Sequence, residues 1–170
     1  MLQNQYEIIN IIKERRSIRF YKSELPDSNI IMKILEASIW APSGKNLQPW
    51  KIKLITDSNI IKDISTLCTY SRFVGRAPCL ILLYLDKNIS YNYIKDVQSC
   101  GMLMQNIMLT AHAEGLGTCL VGELTEKGEN VKNILNITDE ALELMGVITI
   151  GHPRGNTPQV TRKKISEFII

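Results

Sequence analysis

A chain of 170 residues, 45% hydrophobic and 22% charged, has the length and balance of a single globular domain spanning 1–170 that buries most of its extended-chain surface. A net charge of +3 and an aromatic content of 6% provide neither a polyanion-binding field nor a stacking surface for single-stranded bases, so nucleic acid is not an expected partner. Cys68, Cys79, Cys100 and Cys119 stand singly, without a C-x-x-C pair or histidines at metal-ligand spacing, which excludes an expected metal site and fits free thiols in the cytoplasm.

The first residues, MLQNQYEIIN, lack the basic stretch and apolar core of a secretory signal. Ile8, Ile9, Ile11 and Ile12 then recur at near-helical spacing and predict a helix over Glu7 to Glu14. A second helix is expected from Pro26–Asp27, with Asp27 or Ser28 as its cap and Ile30, Ile31, Ile34, Leu35 and Ile39 on one face. It must end before Pro42, because the residue preceding a proline is pushed out of the α region. Trp50, Ile52 and Leu54 alternate with Lys51 and Lys53, the pattern of a half-buried strand. A helix follows over Ile60 to Leu67.

Cys79 to Leu85 is the longest apolar run; it is far short of the ~20 residues that cross a bilayer and reads as a buried central strand, so no membrane association is expected. Val97 to Glu114 is apolar on nearly all sides and predicts a long helix through the core, stopped by Gly115. Thr118 to Val121 and Leu142 to Ile150 read as strands, with a short helix over Val131 to Leu135 between them. Helices alternating with single strands give an α+β domain of two or three layers.

Most catalytic templates are missing. His112 and His152 are the only histidines, too few for a triad or a zinc site, and there is no G-x-S-x-G, phosphate-binding G-x-x-x-x-G-K-[ST] or H-E-x-x-H. Gly115-Leu-Gly-Thr-Cys-Leu-Val-Gly122 has the wrong glycine spacing for a dinucleotide turn, and it leads from a helix into a strand, the reverse of the Rossmann order.

Two segments carry more. Arg15-Arg-Ser-Ile-Arg19 ends the first helix and enters an extended stretch whose alternate residues share a side, so Ser17 and Arg19 can face one ligand with Arg15 nearby. Guanidiniums and a hydroxyl suit a phosphate, although a solvated basic helix end would look the same. Ala41-Pro-Ser-Gly-Lys-Asn-Leu-Gln-Pro-Trp50 sets polar Ser43, Asn46 and Gln48 in a loop stiffened by two prolines. Its amides match a mixed donor–acceptor edge such as that of an isoalloxazine, and it also serves as a tight helix-to-strand connection.

Taken together, R-R-S-I-R, A-P-S-G-K-N-L-Q-P-W, the helix Q-x-x-x-x-A-x-x-x-G-L-G-T from Gln105 to Thr118, and M-G-V-I-T-I-G-H-P followed by Arg162-Lys-Lys164 resemble the nitroreductase-like family of FMN-dependent oxidoreductases, in order and over nearly the whole chain. The resemblance implies a three-layer α+β fold with a central mixed sheet flanked by helices. It further implies a homodimer in which the C-terminal tail, Lys164 to Ile170, is exchanged with the partner subunit.

It also implies FMN at the subunit interface, NADH or NADPH as donor, and a small-molecule acceptor such as a nitroaromatic or quinone, served in ping-pong order. No catalytic side chain is expected, because the chemistry lies on flavin N5. By resemblance, Arg15, Arg16, Ser17 and Arg19 form the first flavin segment, with Arg19 toward the N1–O2 edge. Pro42, Ser43, Gly44 and Asn46 approach from the partner, with Gln48 nearby. Leu120, Val121 and Gly122 lie beside N5, and Arg162 and Lys164 complete the phosphate site. The chain is shorter than many members and has little room for covering helices; Arg72 and Arg76 are the cations available for the family's further ring-contacting segment. The same features would serve a dehalogenating, flavin-consuming or enoate-type reductase, or a protein that only binds and stores FMN.

Overall fold

The computed structural model describes residues 2–156 and 159–170, with side chains from Ile8 onward. Its organising element is the strand β2 (Cys79–Asp86), buried along its entire length. Successive side chains of a strand point to opposite faces, and here each face meets a separate core. Ile81, Leu83 and Leu85 pack with the apolar faces of α2 (Ser28–Ser38) and α5 (Tyr93–Ala113), including Ile34, Leu103 and Ile107. Leu80, Leu82 and Tyr84 pack with α3 (Ser58–Ser65), α4 (Ser71–Val74) and α6 (Gly128–Ile134), through residues such as Ile61, Val74 and Val131. Each fully buried aliphatic side chain is worth about 2 kcal/mol, so this one strand binds three layers together.

The sheet runs β1-β2-β4-β3, with β1 (Trp50–Ile55), β3 (Gly117–Leu120) and β4 (Leu142–Gly151). The three-layer α+β arrangement expected from the sequence is therefore present. The sheet is not mixed as expected: every pairing of the four strands is antiparallel. Its parallel character is confined to one isolated bridge, Ser17 with Thr118. α3 and α4 lie between the neighbours β1 and β2, and α6 between the neighbours β3 and β4, yet each connection brings the chain back antiparallel instead of crossing over as a parallel unit would.

Local signals match the elements closely. α1 spans Leu2–Glu14, and α2 is capped by Asp27, whose carboxylate accepts the Asn29 N–H at 2.7 Å. Gly115 takes φ +75° directly after α5, the left-handed conformation that closes a helix at low cost. α2 and α5 run antiparallel along each other: Lys33 pairs with Glu114 at 2.8 Å, and Asn106 donates to the Ser38 carbonyl at 3.3 Å.

α5 departs from expectation in one respect. Only one face, carrying Asp96, Ser99, Cys100, Leu103, Ile107 and Ala111, enters the core. The opposite stripe of Ile94, Gln98, Gly101, Met102 and Gln105 is exposed. The four cysteines are free and buried, as anticipated. Among the described residues no helix is long and apolar enough to cross a membrane, and no group of side chains is arranged to hold a metal ion.

Beyond α1 the chain lies along the edge of the sheet. Ile18 N–H donates to the Thr118 carbonyl at 2.8 Å, Lys22 N–H to His152 at 2.9 Å, and Arg154 N–H returns to Phe20 at 2.9 Å. This covers the otherwise open edge of β3 and depends on Gly117, where a Cβ would stand 2.8 Å from Ile18 Cβ, Cγ1 and Cγ2. Gly117→Ala is therefore expected to force the segment off β3 and to cost about 1–3 kcal/mol. Denaturant unfolding checks this: an unaltered midpoint would mean that the contact at Gly117 is not tight.

Candidate functional site

The edge segment sets its cations in a row. Ser17 pairs with Thr118 in parallel and Tyr21 with Pro153 in antiparallel, so Arg15 and Arg19 flank the Ser17 bridge, separated by at most ~13 Å of extended chain. Tyr21 anchors the row from below. Its buried hydroxyl donates to the Ile18 carbonyl and meets the Thr149 hydroxyl at 2.7 Å, and Thr149 in turn reaches the Cys119 carbonyl at 3.2 Å. Burial raises the Tyr21 phenol far above its ordinary range, so it remains a neutral hydrogen-bonding strut.

Arg15 is half-buried, and together with Arg16, His112, Gly115 and Thr118 it lines a cavity of about 150 Å³ at the C-terminal end of α5. Burial first, then the neighbouring Arg16 and Arg162 guanidiniums, lower its pKa. The tail thus brings Arg162 back to Arg15 across most of the sequence. Arg16 is partly committed elsewhere, because its guanidinium donates to the Lys13 and Arg15 carbonyls at the end of α1. Lys164 is exposed, with its backbone N–H on Glu167 at 3.1 Å, and it is not among the charges that act on Arg15.

Cys119 sits on the same row and was not singled out from the sequence. Burial raises its thiol pKa, against the opposing pull of Arg19, the Ser17 hydroxyl and Arg15. The backbone order Arg15, Ser17, Arg19 against Thr118–Leu120 would have pointed to it, had the bridge been foreseen.

At the far end of β3, Leu120 is half exposed and Gly122 is exposed, while Val121 is buried with its N–H on the Val147 carbonyl at 2.8 Å. Beyond them Glu123 reaches across to Thr69, accepting from its N–H at 3.0 Å and its hydroxyl at 2.7 Å. These bonds, the hydroxyl's foremost, lower the Glu123 pKa and hold the carboxylate ionised. They also pin the segment before α4 next to Arg19.

The second sequence-predicted group lies elsewhere. Lys45, Asn46 and Gln48 all take positive φ, from 51° to 55°, a strained conformation for side chains of this kind. Ser43 holds it: its hydroxyl accepts the Gln48 N–H at 3.0 Å, and its carbonyl accepts the Asn46 N–H at 3.0 Å. Gly44 is pressed against Tyr91, just before α5, where a Cβ would meet the ring. Pro42, Asn46 and Gln48 are exposed. Arg15 borders the other end of α5, so about 30 Å of helix separates the two groups.

Comparison with known proteins bears on this arrangement. The model of the nitroreductase family matches residues 12–70 and 66–152. A protein of Archaeoglobus fulgidus, provisionally described as an NADH dehydrogenase/NAD(P)H nitroreductase, is 31% identical over 87% of this chain and 86% of its own length. The FMN reductase [NAD(P)H] of Bacillus subtilis is 26% identical over 92% of this chain and 70% of its own length. The crystal structure of a provisionally described nitroreductase from Desulfovibrio desulfuricans, in complex with FMN, superposes with a TM-score of 0.91 at 34% identity, covering 96% of this chain and 95% of that one. By a family match that takes in both the cationic row and the strained loop, the chain belongs to the nitroreductase family.

Proposed function

We propose that the protein is a cytoplasmic, homodimeric, FMN-dependent oxidoreductase that takes hydride from NADH or NADPH and passes it, in ping-pong order, to a small electrophilic acceptor such as a nitroaromatic or a quinone. The observation that carries this reading is the row of cations along β3, with Arg15 half-buried beside Arg16 and Arg162. Like charges gathered around a half-buried Arg15 call for an anion, and a phosphate answers them with bidentate hydrogen bonds. Binding of FMN by the Desulfovibrio neighbour supports the choice of anion. When bound, the flavin supplies the hydride chemistry itself.

The chain's own residues hold and tune. Arg15, Ser17 and Arg162, with Arg16 in the cavity wall and Lys164 from the tail, take the phosphate end. Arg19 takes the ring edge, where a cation favours the negative charge that reduction brings. Leu120, Val121 and Gly122 offer backbone groups beside the ring. The partner subunit's Pro42, Ser43, Gly44, Asn46 and Gln48 close the site, a reading that the length of α5 between them and Arg15 supports.

Unpartnered apolar surface supports the dimer. Met102 on the outer stripe of α5 is 39% exposed, Ile94 71% and Trp40, after α2, 87%. In the tail Phe168 is 65% exposed and Ile169 70%, more apolar surface than a lone terminus sustains in water.

Three outcomes test the proposal. Arg15→Met removes one of several neighbouring like charges at a half-buried position, so flavin-free protein should unfold at an unchanged or higher temperature. Added inorganic phosphate at about ten times its Kd should stabilise the wild type by ~1.4 kcal/mol and the variant not at all; equal stabilisation of both would remove Arg15 from the anion site. Arg19→Ala should lower the midpoint potential of bound FMN in a spectroelectrochemical titration, and an unaltered potential would place Arg19 away from the ring. Truncation after Gly155 should abolish both the dimer and the yellow flavin spectrum. Sedimentation of a stable FMN-loaded monomer, full-length or truncated, would sink the interface site.

A further inference from the structure

Lys45, Asn46 and Gln48 sit in the left-handed region, and Ser43 and Gly44 brace them from within the loop, Gly44 through its carbonyl on the Leu47 N–H at 3.1 Å. Strain of this kind persists only where the surroundings over-determine it. A second brace comes from outside, from the segment between β2 and α5. The Tyr91 ring fills the space where a Cβ of Gly44 would stand, its Cζ 2.8 Å from that point. Gly44 does not itself take a positive φ, so here it is the ring and not the backbone that calls for glycine. The same ring lies 4.8 Å from the Lys45 ammonium and 5.7 Å from that of Lys95, within reach of a cation–π attraction.

Tyr91 is held in turn. Asp96, fully buried in the first turn of α5, accepts three hydrogen bonds on Oδ2: from the Ser90 hydroxyl at 2.7 Å, the Tyr91 N–H at 3.1 Å and the Asn92 N–H at 3.0 Å. Asn92 caps the helix by accepting the Lys95 N–H at 3.1 Å. At the other end of the segment the Asp86 N–H donates to the Pro49 carbonyl at 3.0 Å, where the loop passes into β1. The start of a long helix thus fixes a ring, and the ring fixes Gly44 and Lys45.

We propose that Tyr91 is a positioning residue for the flavin: set by Asp96, its ring holds the Gly44–Gln48 backbone in the shape that meets the partner subunit's FMN. The assignment rests on the reading above in which this loop closes the partner's site. Without the ring the loop relaxes toward right-handed conformations, and affinity falls with the fraction of chains that keep the competent shape. Both lysine contacts and most of the Gly44 contact belong to the ring, so phenylalanine should serve in its place.

Hydrogen exchange with millisecond mixing, on the full-length flavin-free chain, reads the positioning. In Tyr91→Leu a peptide carrying the Asn46, Leu47 and Gln48 amides should exchange about tenfold faster, with peptides from β2 unchanged and Tyr91→Phe like the wild type. Titration with FMN reads the consequence: Kd should rise about tenfold in Tyr91→Leu and stay within about twofold in Tyr91→Phe. Unchanged loop exchange in Tyr91→Leu overturns the assignment. So does exchange accelerated across the whole chain, which would make Tyr91 a general stability residue. A phenylalanine variant as weak for FMN as the leucine variant would make the hydroxyl a flavin ligand and overturn it equally. Ser43→Ala, which removes a bond inside the loop, separates this failure from that of the flavin reading. If Ser43→Ala weakens FMN binding and Tyr91→Leu does not, the assignment alone falls. If neither variant alters FMN affinity, the loop lies away from the flavin and both fall.

Discussion

Close backbone contact between the segment after α1 and the edge of β3 governs everything else at the site. Gly117 carries no side chain, so Ile18 can lie flush against it and the Ile18 N–H can reach Thr118. From that registration Arg15, Ser17 and Arg19 acquire fixed places along one strand edge, and Cys119 falls beneath them. A β edge is ordinarily a hazard because its backbone groups seek partners. Here it is the ruler that spaces the cations, and the Tyr21–Thr149 pair keeps the ruler from sliding.

A second constraint follows from the length of α5. Its two ends are occupied by the two groups of polar residues, the cationic row at one and the strained Ser43–Gln48 loop at the other. A helix of this length is a rigid spacer that holds the groups apart along its axis. The positive φ values at Lys45, Asn46 and Gln48 make sense in this light. Backbone strain persists only when surrounding contacts over-determine it, and it concentrates where a ligand or partner is to be met. Ser43 supplies those contacts in the free chain, at the expense of part of its own hydrogen-bonding capacity.

Much of this was legible in the sequence because it is written in short-range chemistry. Asp27 as a cap, Gly115 as a helix stop and the unbroken apolar run of β2 each follow from local preferences, and each stands within a residue or two of its expected place. The cationic segment was legible as a motif. Its pairing was not, because the bridge between Ser17 and Thr118 joins positions far apart in sequence and nothing at either one announces the other. The same holds for Arg162 beside Arg15 and for Glu123 on Thr69. The sheet's antiparallel order was missed for a related reason: alternating helices and strands suggest crossovers, while strand order depends on which non-local edges pair.

The error over α5 is the most informative. A helix apolar on all sides reads as one that passes through a core, and burial of Leu103 and Ile107 accords with that. Periodicity records that a face is apolar; it does not record whose side chains will cover it. Gly101, with open space where its Cβ would stand, lies mid-stripe between Gln98, Met102 and Gln105. A glycine inside a helix costs about 1 kcal/mol relative to alanine, and nothing within this subunit recovers that cost. The outer face of α5 thus carries a glycine and exposed apolar side chains between the strained loop at one end of the helix and the cations at the other, a combination that the packing of this chain alone does not explain.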